Sequence, residues 1–283
     1  MQRVDTSFYN SIKSNNFLKI IALNVNSIVS TYRRNNLDVF IKEHNPDILA
    51  ISETKLTKKH KLFFENYKII RNDRKNKGGG GTALFVHKKI ECTQISTPPN
   101  LEVLELSIVC IRLAKKKLYI ISSYAAGSSN IKINNDLNIL CKKLKLENPE
   151  NSFIIIGDLN SKHTNWNNSS INYRGSQLNN WLCENEIKYN CILLNSQIPT
   201  LYNCNSYIDI ALVKNMPNCN IEVLNEFNSD HLPVLVTVNE IPVDHEPGKT
   251  FLNYSKANWS KFRTIIEQEI RLTEKLKINR FHD

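Results

Sequence analysis

Short apolar runs and polar breaks alternate along most of the chain. The runs "FLKIIALNV", "DILAIS", "TALFVH", "VLELSIVCIRL", "LYIISSY", "FIIIGD", "CILLN", "YIDIALV", "CNIEVL" and "HLPVLVTV" are of strand length and rich in Ile, Val and Leu. Clusters of Asn, Gly, Pro or Lys bound them. Three stretches carry a helical period: Leu37, Phe40 and Ile41 before Pro46; Ile133, Leu137, Leu140 and Leu144; and Gln177 to Ile187, with Leu178, Trp181 and Leu182 on one face. Strands outnumber helices too heavily for a regular βαβ array, so the pattern predicts two packed sheets with helices outside. No internal repeat is visible.

After Asn239 the texture changes. "EIPVDHEPGKT" reads as a linker, and "KANWSKFRTIIEQEIRL" then sets Trp259, Phe262, Ile266 and Ile270 at helical spacing. The expected organisation is an N-terminal extension over 1–16, one domain over 17–240, and a linker with an amphipathic helix over 241–283.

Composition narrows the setting. The chain has 283 residues and a net charge of +10, which favours a polyanionic partner, nucleic acid ahead of an acidic membrane surface. A Lys- and Asn-rich residue usage alone also accounts for that charge. The seven cysteines are odd in number and never in C-x-x-C spacing, so they read as reduced core residues, not zinc ligands or a disulfide framework. The start has no apolar signal segment, and no stretch approaches the ~18 apolar residues of a membrane span. An intracellular protein with no membrane partner is expected.

Several strands carry polar residues that a plain core would not want. In "DILAISET" the alternation puts Glu53 on the face of Leu49 and Ile51, and in "FIIIGDLN" it puts Asp158 with Ile154 and Ile156. In "SYIDIALV", Asp209 interrupts a strand whose other face is Ile208, Ile210 and Leu212. A buried carboxylate needs a cation, a metal or a His beside it. The three acids together predict one shared cation site; oxygen donors favour Mg²⁺, with Mn²⁺ as the alternative. Taken singly, each acid reads equally well as a turn residue or a surface ion pair.

Asn24 and Asn160 also follow apolar strands directly, as amides suited to a phosphate oxygen or a carboxylate, or simply as turn residues. Tyr124 ends "LYIISSY" either as packing or with its hydroxyl toward a phosphate. "FNSDHLPVLV" places Asp230 and His231 before a strand, and Pro233 suits an edge strand. "KIIRNDRKNKGGGG" supplies five basic residues against one acid, then four glycines. It reads as a DNA contact through Arg71, Arg74 and Lys77, or as a solvated loop. It lacks the Lys-Ser/Thr ending of a nucleotide-triphosphate loop.

In order, "LNVNS", "SET", "SSY", "GDLNSKHTNW", "SYIDIAL" and "SDHLPV" resemble the motifs of the endonuclease/exonuclease/phosphatase superfamily, and within it the endonuclease domain of Jockey-like non-LTR retrotransposons, over about residues 17–240. The resemblance implies an α/β (α+β) fold, a DNase I-like four-layer sandwich of two mostly antiparallel β-sheets flanked by helices. It implies catalytic roles for Asn24, Tyr124, Asp158, Asn160, Asp209 and His231, the His231 ring being held by Asp209, and metal binding by Glu53 and Asp230. Ser206 falls near the expected phosphate, and "KHTNW" adds His163 and Trp166 as substrate contacts or as structural residues. The implied activity is a Mg²⁺-dependent nick in one strand of double-stranded DNA in the nucleus. The 3′-hydroxyl so formed would prime copying of the element's RNA by a reverse transcriptase outside this sequence. The alternatives are an abasic-site repair endonuclease and a DNA-binding remnant that does not cut.

Overall fold

The computed structural model of the chain describes residues 17–74, 78–113, 116–126, 132–201, 203–216, 218–225 and 227–239, with 259–261, 263, 264, 266, 267 and 270. In chain order the elements are β1 (Phe17–Asn24), α1 (Thr31–His44), β2 (Ile48–Ser52), β3 (Tyr67–Asn72), β4 (Thr82–His87), β5 (Thr93–Ile95) and β6 (Leu104–Leu113). There follow β7 (Lys116–Ala125), α2 (Ile133–Lys143), β8 (Asn151–Asp158), α3 (Tyr173–Tyr189), β9 (Cys191–Leu194), β10 (Asp209–Lys214), β11 (Cys219–Val223) and β12 (Val234–Asn239). They build two six-stranded sheets, ordered β11-β12-β1-β2-β4-β3 and β5-β6-β7-β8-β10-β9. Only β1–β2 and β7–β8 run parallel among the described pairs, and these are the pairs bridged in sequence by α1 and α2. Phe17 opens β1 opposite Asn239, so the first and last strands are neighbours.

Local sequence explains where the helices begin and stop. Ser30 caps α1 by accepting from the Arg33 N–H, and Asn45 ends it in the left-handed conformation just before Pro46. The third helix starts earlier than the apolar stripe suggested, at Tyr173, because the Asn172 side chain caps it through the Gly175 N–H at 2.7 Å.

Three apolar layers divide the residues by strand parity. Between the sheets lie Ile20, Ala22, Ile48, Ala50, Leu84 and Val236 against Val109, Ile120, Ile154, Ile156 and Val213. The opposite parity of the first sheet, Ile21, Leu23, Leu49, Ile51 and Phe85, packs on Leu37, Phe40 and Ile41 of α1. That of the second, Ile121, Phe153, Ile155 and Leu212, packs on Leu137 and Leu140 of α2 and on Leu178 and Trp181 of α3. Central strands are therefore apolar on both faces, which is why they read as unbroken hydrophobic runs. Each fully buried Ile, Leu or Val contributes about 1.5–3 kcal/mol.

Some expectations change. β12 lies between β11 and β1, so Pro233 precedes an interior strand, and its carbonyl accepts from the Leu224 N–H. Of the cysteines, Cys110, Cys141 and Cys191 are buried, whereas Cys183 and Cys204 are exposed; all are free thiols. The chain divides into two compact units, 1–244 and 245–283. In the second, the described residues between 259 and 270 are helical, with Trp259, Ile266 and Ile270 exposed. The extension 1–16, the linker 241–258, Phe262 and Lys77 lie outside the described residues. Among those described, no helix is long and apolar enough to cross a membrane.

Gly157 sits in β8 at φ +145°, and a Cβ there would come within 2.0 Å of the Ser123 carbonyl oxygen on β7. Gly157→Ala is therefore expected to lower unfolding stability by about 3 kcal/mol or more, read from the denaturant midpoint. An unchanged midpoint would contradict this close approach.

Candidate active site

The face that is apolar through the middle of the sandwich turns polar at one end. Across the second sheet, strand register sets Glu105, Tyr124, Asp158 and Asp209 in one row; across the first it sets Asn24, Ser52 and Thr82. Every one has the parity of the inter-sheet core. Ser107 and Ser122 lie one step behind the row of the second sheet: Ser107 Oγ is 2.9 Å from Thr82 Oγ1, and Ser122 Oγ donates to the Ile51 carbonyl at 3.0 Å.

His231, in the turn before β12, closes the row. Its Nδ1 lies 2.8 Å from Asp209 Oδ2, and its Nε2 lies 3.4 Å from Asn24 Nδ2 and 3.9 Å from Asp158 Oδ2. The Asn24 amide donates to Asp158 Oδ2 at 3.0 Å and to Glu53 Oε1 at 3.1 Å. Asp158 also accepts from Asn160, through the backbone N–H at 2.8 Å and the amide at 3.1 Å. On the outer side, Lys55 Nζ stands 3.3 Å from Glu53 Oε2 and donates to Asn26 Oδ1, and the Asn26 amide donates to Asp230 Oδ1 at 3.2 Å.

Burial pushes the His231 ring down from its ordinary value, but the charge and hydrogen bond of Asp209, with Asp158 and Asp230, outweigh this and raise it to about 9. The ring is thus a cation at neutral pH. Its Nε2–H faces the Asn24 amide, whose two hydrogens are already given to Glu53 and Asp158, so it is a donor without an acceptor of its own in this group. Asp158 is held above the usual carboxylate range by burial and then by the Asp209 charge, with His231 and the Asn160 and Asn24 donors pulling the other way. The Tyr124 phenol is also pushed up, by burial and by its hydrogen-bonded neighbour Glu53. Such an arrangement can offer a proton donor and a proton acceptor to one oxyanion-bearing group.

The expected site of three acids around one cation does not form. Asp158 and Asp209 are committed to His231, and Glu53 leaves the strand alternation at φ +52° instead of sharing the face of Leu49 and Ile51. Among the described residues no group of three His, Cys, Asp or Glu is arranged to hold a metal. Asp209 begins β10 rather than interrupting a strand. What remains for a cation is Glu53, partly exposed and holding one amide and one ammonium, with Asp230 further along the same network. An oxygen-only set with one or two carboxylates fits Mg²⁺, which keeps most of its water.

The family model for Endonuclease-reverse transcriptase matches residues 118–235. Over 247 residues the chain is 23% identical to the RNA-directed DNA polymerase from mobile element jockey of Drosophila funebris, covering 84% of this chain and 25% of that protein. It is 25% identical over 271 residues to the probable RNA-directed DNA polymerase from transposon X-element of Drosophila melanogaster, covering 90% and 28%. The chain thus spans about a quarter of the length of the curated relatives it matches. The endonuclease domain of TRAS1, a telomere-specific non-LTR retrotransposon, superposes with a TM-score of 0.61 at 19% identity, covering 79% of this chain and 98% of that one. The AP endonuclease of Leishmania major superposes at 0.63 with 13% identity, covering 84% and 92%. The chain thus shares the fold of these two endonuclease structures.

The sequence-expected residues divide. Asn24, Glu53, Asp158, Asn160, Asp209 and His231 form one hydrogen-bonded group, with Tyr124 in its row and Asp230 tied on through Asn26. Others do not line it. Trp166 is 1% exposed, its indole N–H given to the Ser161 carbonyl, and His163 stacks on it while accepting from the Asn165 N–H. Ser206 is 3% exposed and donates to the Cys204 carbonyl. Arg71 binds the Thr57 and His60 carbonyls, and Arg74 pairs with Glu105 and lies 5.8 Å from the Tyr124 ring centre. Both arginines brace the chain rather than standing free for a substrate.

Reasoning from the sequence missed Lys55, Thr200 and Arg174. Thr200 Oγ1 accepts from the Ile208 and Asp209 N–H groups, which fixes the start of β10. Arg174 is buried and holds the carbonyls of Ala125 and Ala126 beside Tyr124. Its signal was available: Arg174 precedes Leu178 and Trp181 on one helical stripe, a charge on a buried face.

The His231 ring is expected to titrate near 9 in the wild type and well below that in Asp209→Asn, followed by imidazole nitrogen NMR. Because its folded value exceeds the ordinary 6.5, its stabilising contribution is complete below about pH 6.5 and lost as pH rises through about 9. The same midpoint in both proteins would disprove the pairing.

Proposed function

We propose that this domain is a Mg²⁺-dependent endonuclease that nicks one strand of double-stranded DNA, and that the 3′-hydroxyl left behind primes reverse transcription of a mobile element's RNA in the nucleus. The observation that carries the reading is the buried Asp209–His231 pair set against Asn24 and Asp158 at one end of the sandwich. Similarity to jockey, to X-element and to the TRAS1 endonuclease domain supports the priming role.

In this reading the protonated His231 gives its Nε2–H to a non-bridging oxygen of the scissile phosphate and so opposes the negative charge of the pentacoordinate phosphorus. Asp209 keeps the ring charged and oriented. Asp158, its proton affinity raised by burial, takes a proton from the attacking water, while Asn160 and Asn24 fix its carboxylate. Tyr124 directs its hydroxyl toward Glu53 and the phosphate. Glu53, with Asp230 nearby, would hold Mg²⁺, which when bound polarises a phosphate oxygen and stabilises the leaving oxyanion.

A plasmid-nicking assay tests this. With Mg²⁺, the wild type should relax intact supercoiled plasmid, and Asp158→Ala and His231→Ala should each slow nicking by at least about 100-fold. Chelation should stop it. Cutting confined to duplexes with an abasic site would replace this reading with repair.

A further inference from the structure

Just beyond Glu53 the chain makes a turn that is anchored from within and charged without. Thr57 to His60 form a β-turn closed by the His60 N–H to Thr57 carbonyl bond at 2.9 Å, while His60 Nδ1 accepts from the Thr57 N–H at 3.0 Å. Lys58 and Lys59 occupy its two central positions and Lys61 follows; all three side chains are exposed. Two arginines grip the carbonyls of this segment. Arg71 of β3 donates to His60 at 2.7 Å and to Thr57 at 3.0 Å, steadied by Asp73 at 3.1 Å. Arg34 of α1 donates to Lys61 at 3.3 Å, with its other nitrogens on Ile28 and Val29.

No ion pair neutralises Lys58, Lys59 or Lys61 among the described residues. Arg71, paired with Asp73, and Arg34 fix the backbone of the turn, while its three ammonium groups repel one another with no counter-charge of their own. An external polyanion removes that repulsion, and a turn already fixed loses little backbone freedom on binding one.

We propose that the Lys58–Lys61 turn is a preformed contact for the phosphate backbone of a DNA duplex lying across the site, an inference that rests on the endonuclease reading. Lys58 is five Cα–Cα steps along the chain from Glu53, a reach of at most about 18 Å, or roughly five base-pair steps of 3.4 Å. The turn therefore meets phosphates within about five nucleotides of the one at His231. Lysine ammoniums read charge and not base identity, so the contact supplies affinity and register. Continuity with the phosphodiester site favours DNA over an anionic membrane. The basic stretch that the sequence marked out thus acts indirectly: Arg71 holds the turn, and the lysines upstream of it face the strand.

The test uses the full chain. In an Asp158→Ala background, where slow nicking leaves the duplex intact during the measurement, Lys58→Ala/Lys59→Ala/Lys61→Ala should weaken duplex binding about 10-fold at moderate salt and reduce the slope of log K against log salt by about 2 to 3. In the otherwise wild-type chain it should raise the plasmid concentration needed for half-maximal nicking and leave the maximal rate unchanged. Arg71→Lys keeps the charge, so it should weaken binding with an unaltered salt slope while the amides of Lys59 and His60 exchange faster. Unchanged duplex affinity and slope in the triple variant overturn the proposal, as does a loss confined to phosphatidylserine vesicles. If the wild type fails to nick but duplex binding depends on the lysines, the endonuclease reading falls and the contact stands; nicking with no lysine dependence gives the reverse.

Discussion

Asp158 and Asp209 face each other in register on β8 and β10, and both are buried. Like charges directly opposite across an antiparallel pair destabilise a sheet, and a buried charge without a partner costs several kcal/mol. One imidazolium answers both. His231 touches Asp209 at 2.8 Å and stands 3.9 Å from Asp158. Its backbone is held by a bridge to Leu201 and by the Leu232 N–H on the Thr200 carbonyl. Thr200 in turn anchors the first N–H of β10. Charge compensation at this point ties the turn before β12 to the loop before β10, and the rest of the site is arranged around it.

Parity does the remaining positioning. The inter-sheet face is Ile, Val, Leu and Ala through the middle of the sandwich and ends in hydroxyls, carboxylates, an amide and a phenol. No separate scaffold is needed for the row of Glu105, Tyr124, Asp158 and Asp209, since the ladder that pairs the strands also sets these side chains abreast. The hydroxyls give the charged end polar neighbours and keep the carboxylates off the aliphatic core.

The strands, the helical stripes and the two-sheet arrangement were legible because apolar runs and their spacing directly express which faces are buried. Asp158, Asp209 and His231 were legible for the opposite reason, as polar residues at strand ends where apolar ones would serve a core. Glu53 was misplaced because the left-handed conformation at that residue interrupts the alternation, and nothing in "ISETK" signals it. The partners of Arg71 were not legible, because charge density in a sequence does not reveal carbonyl partners; those it binds belong to residues 57 and 60. Trp166 and Ser206 are turned inward onto backbone carbonyls, the structural role that the sequence had left open for Trp166, since proximity to a motif says nothing about the direction of an indole or a hydroxyl. The bridging of Glu53 to Asp230 through Lys55 and Asn26 depends on side chains more than 170 residues apart in sequence and has no local trace.

The pairing of Phe17 with Asn239 has a geometric outcome. Seven steps along β1 lead from Phe17 to Asn24, about 23 Å at ~3.3 Å per residue. Both attachment points of the sandwich therefore sit side by side at its pole remote from the His231 cluster.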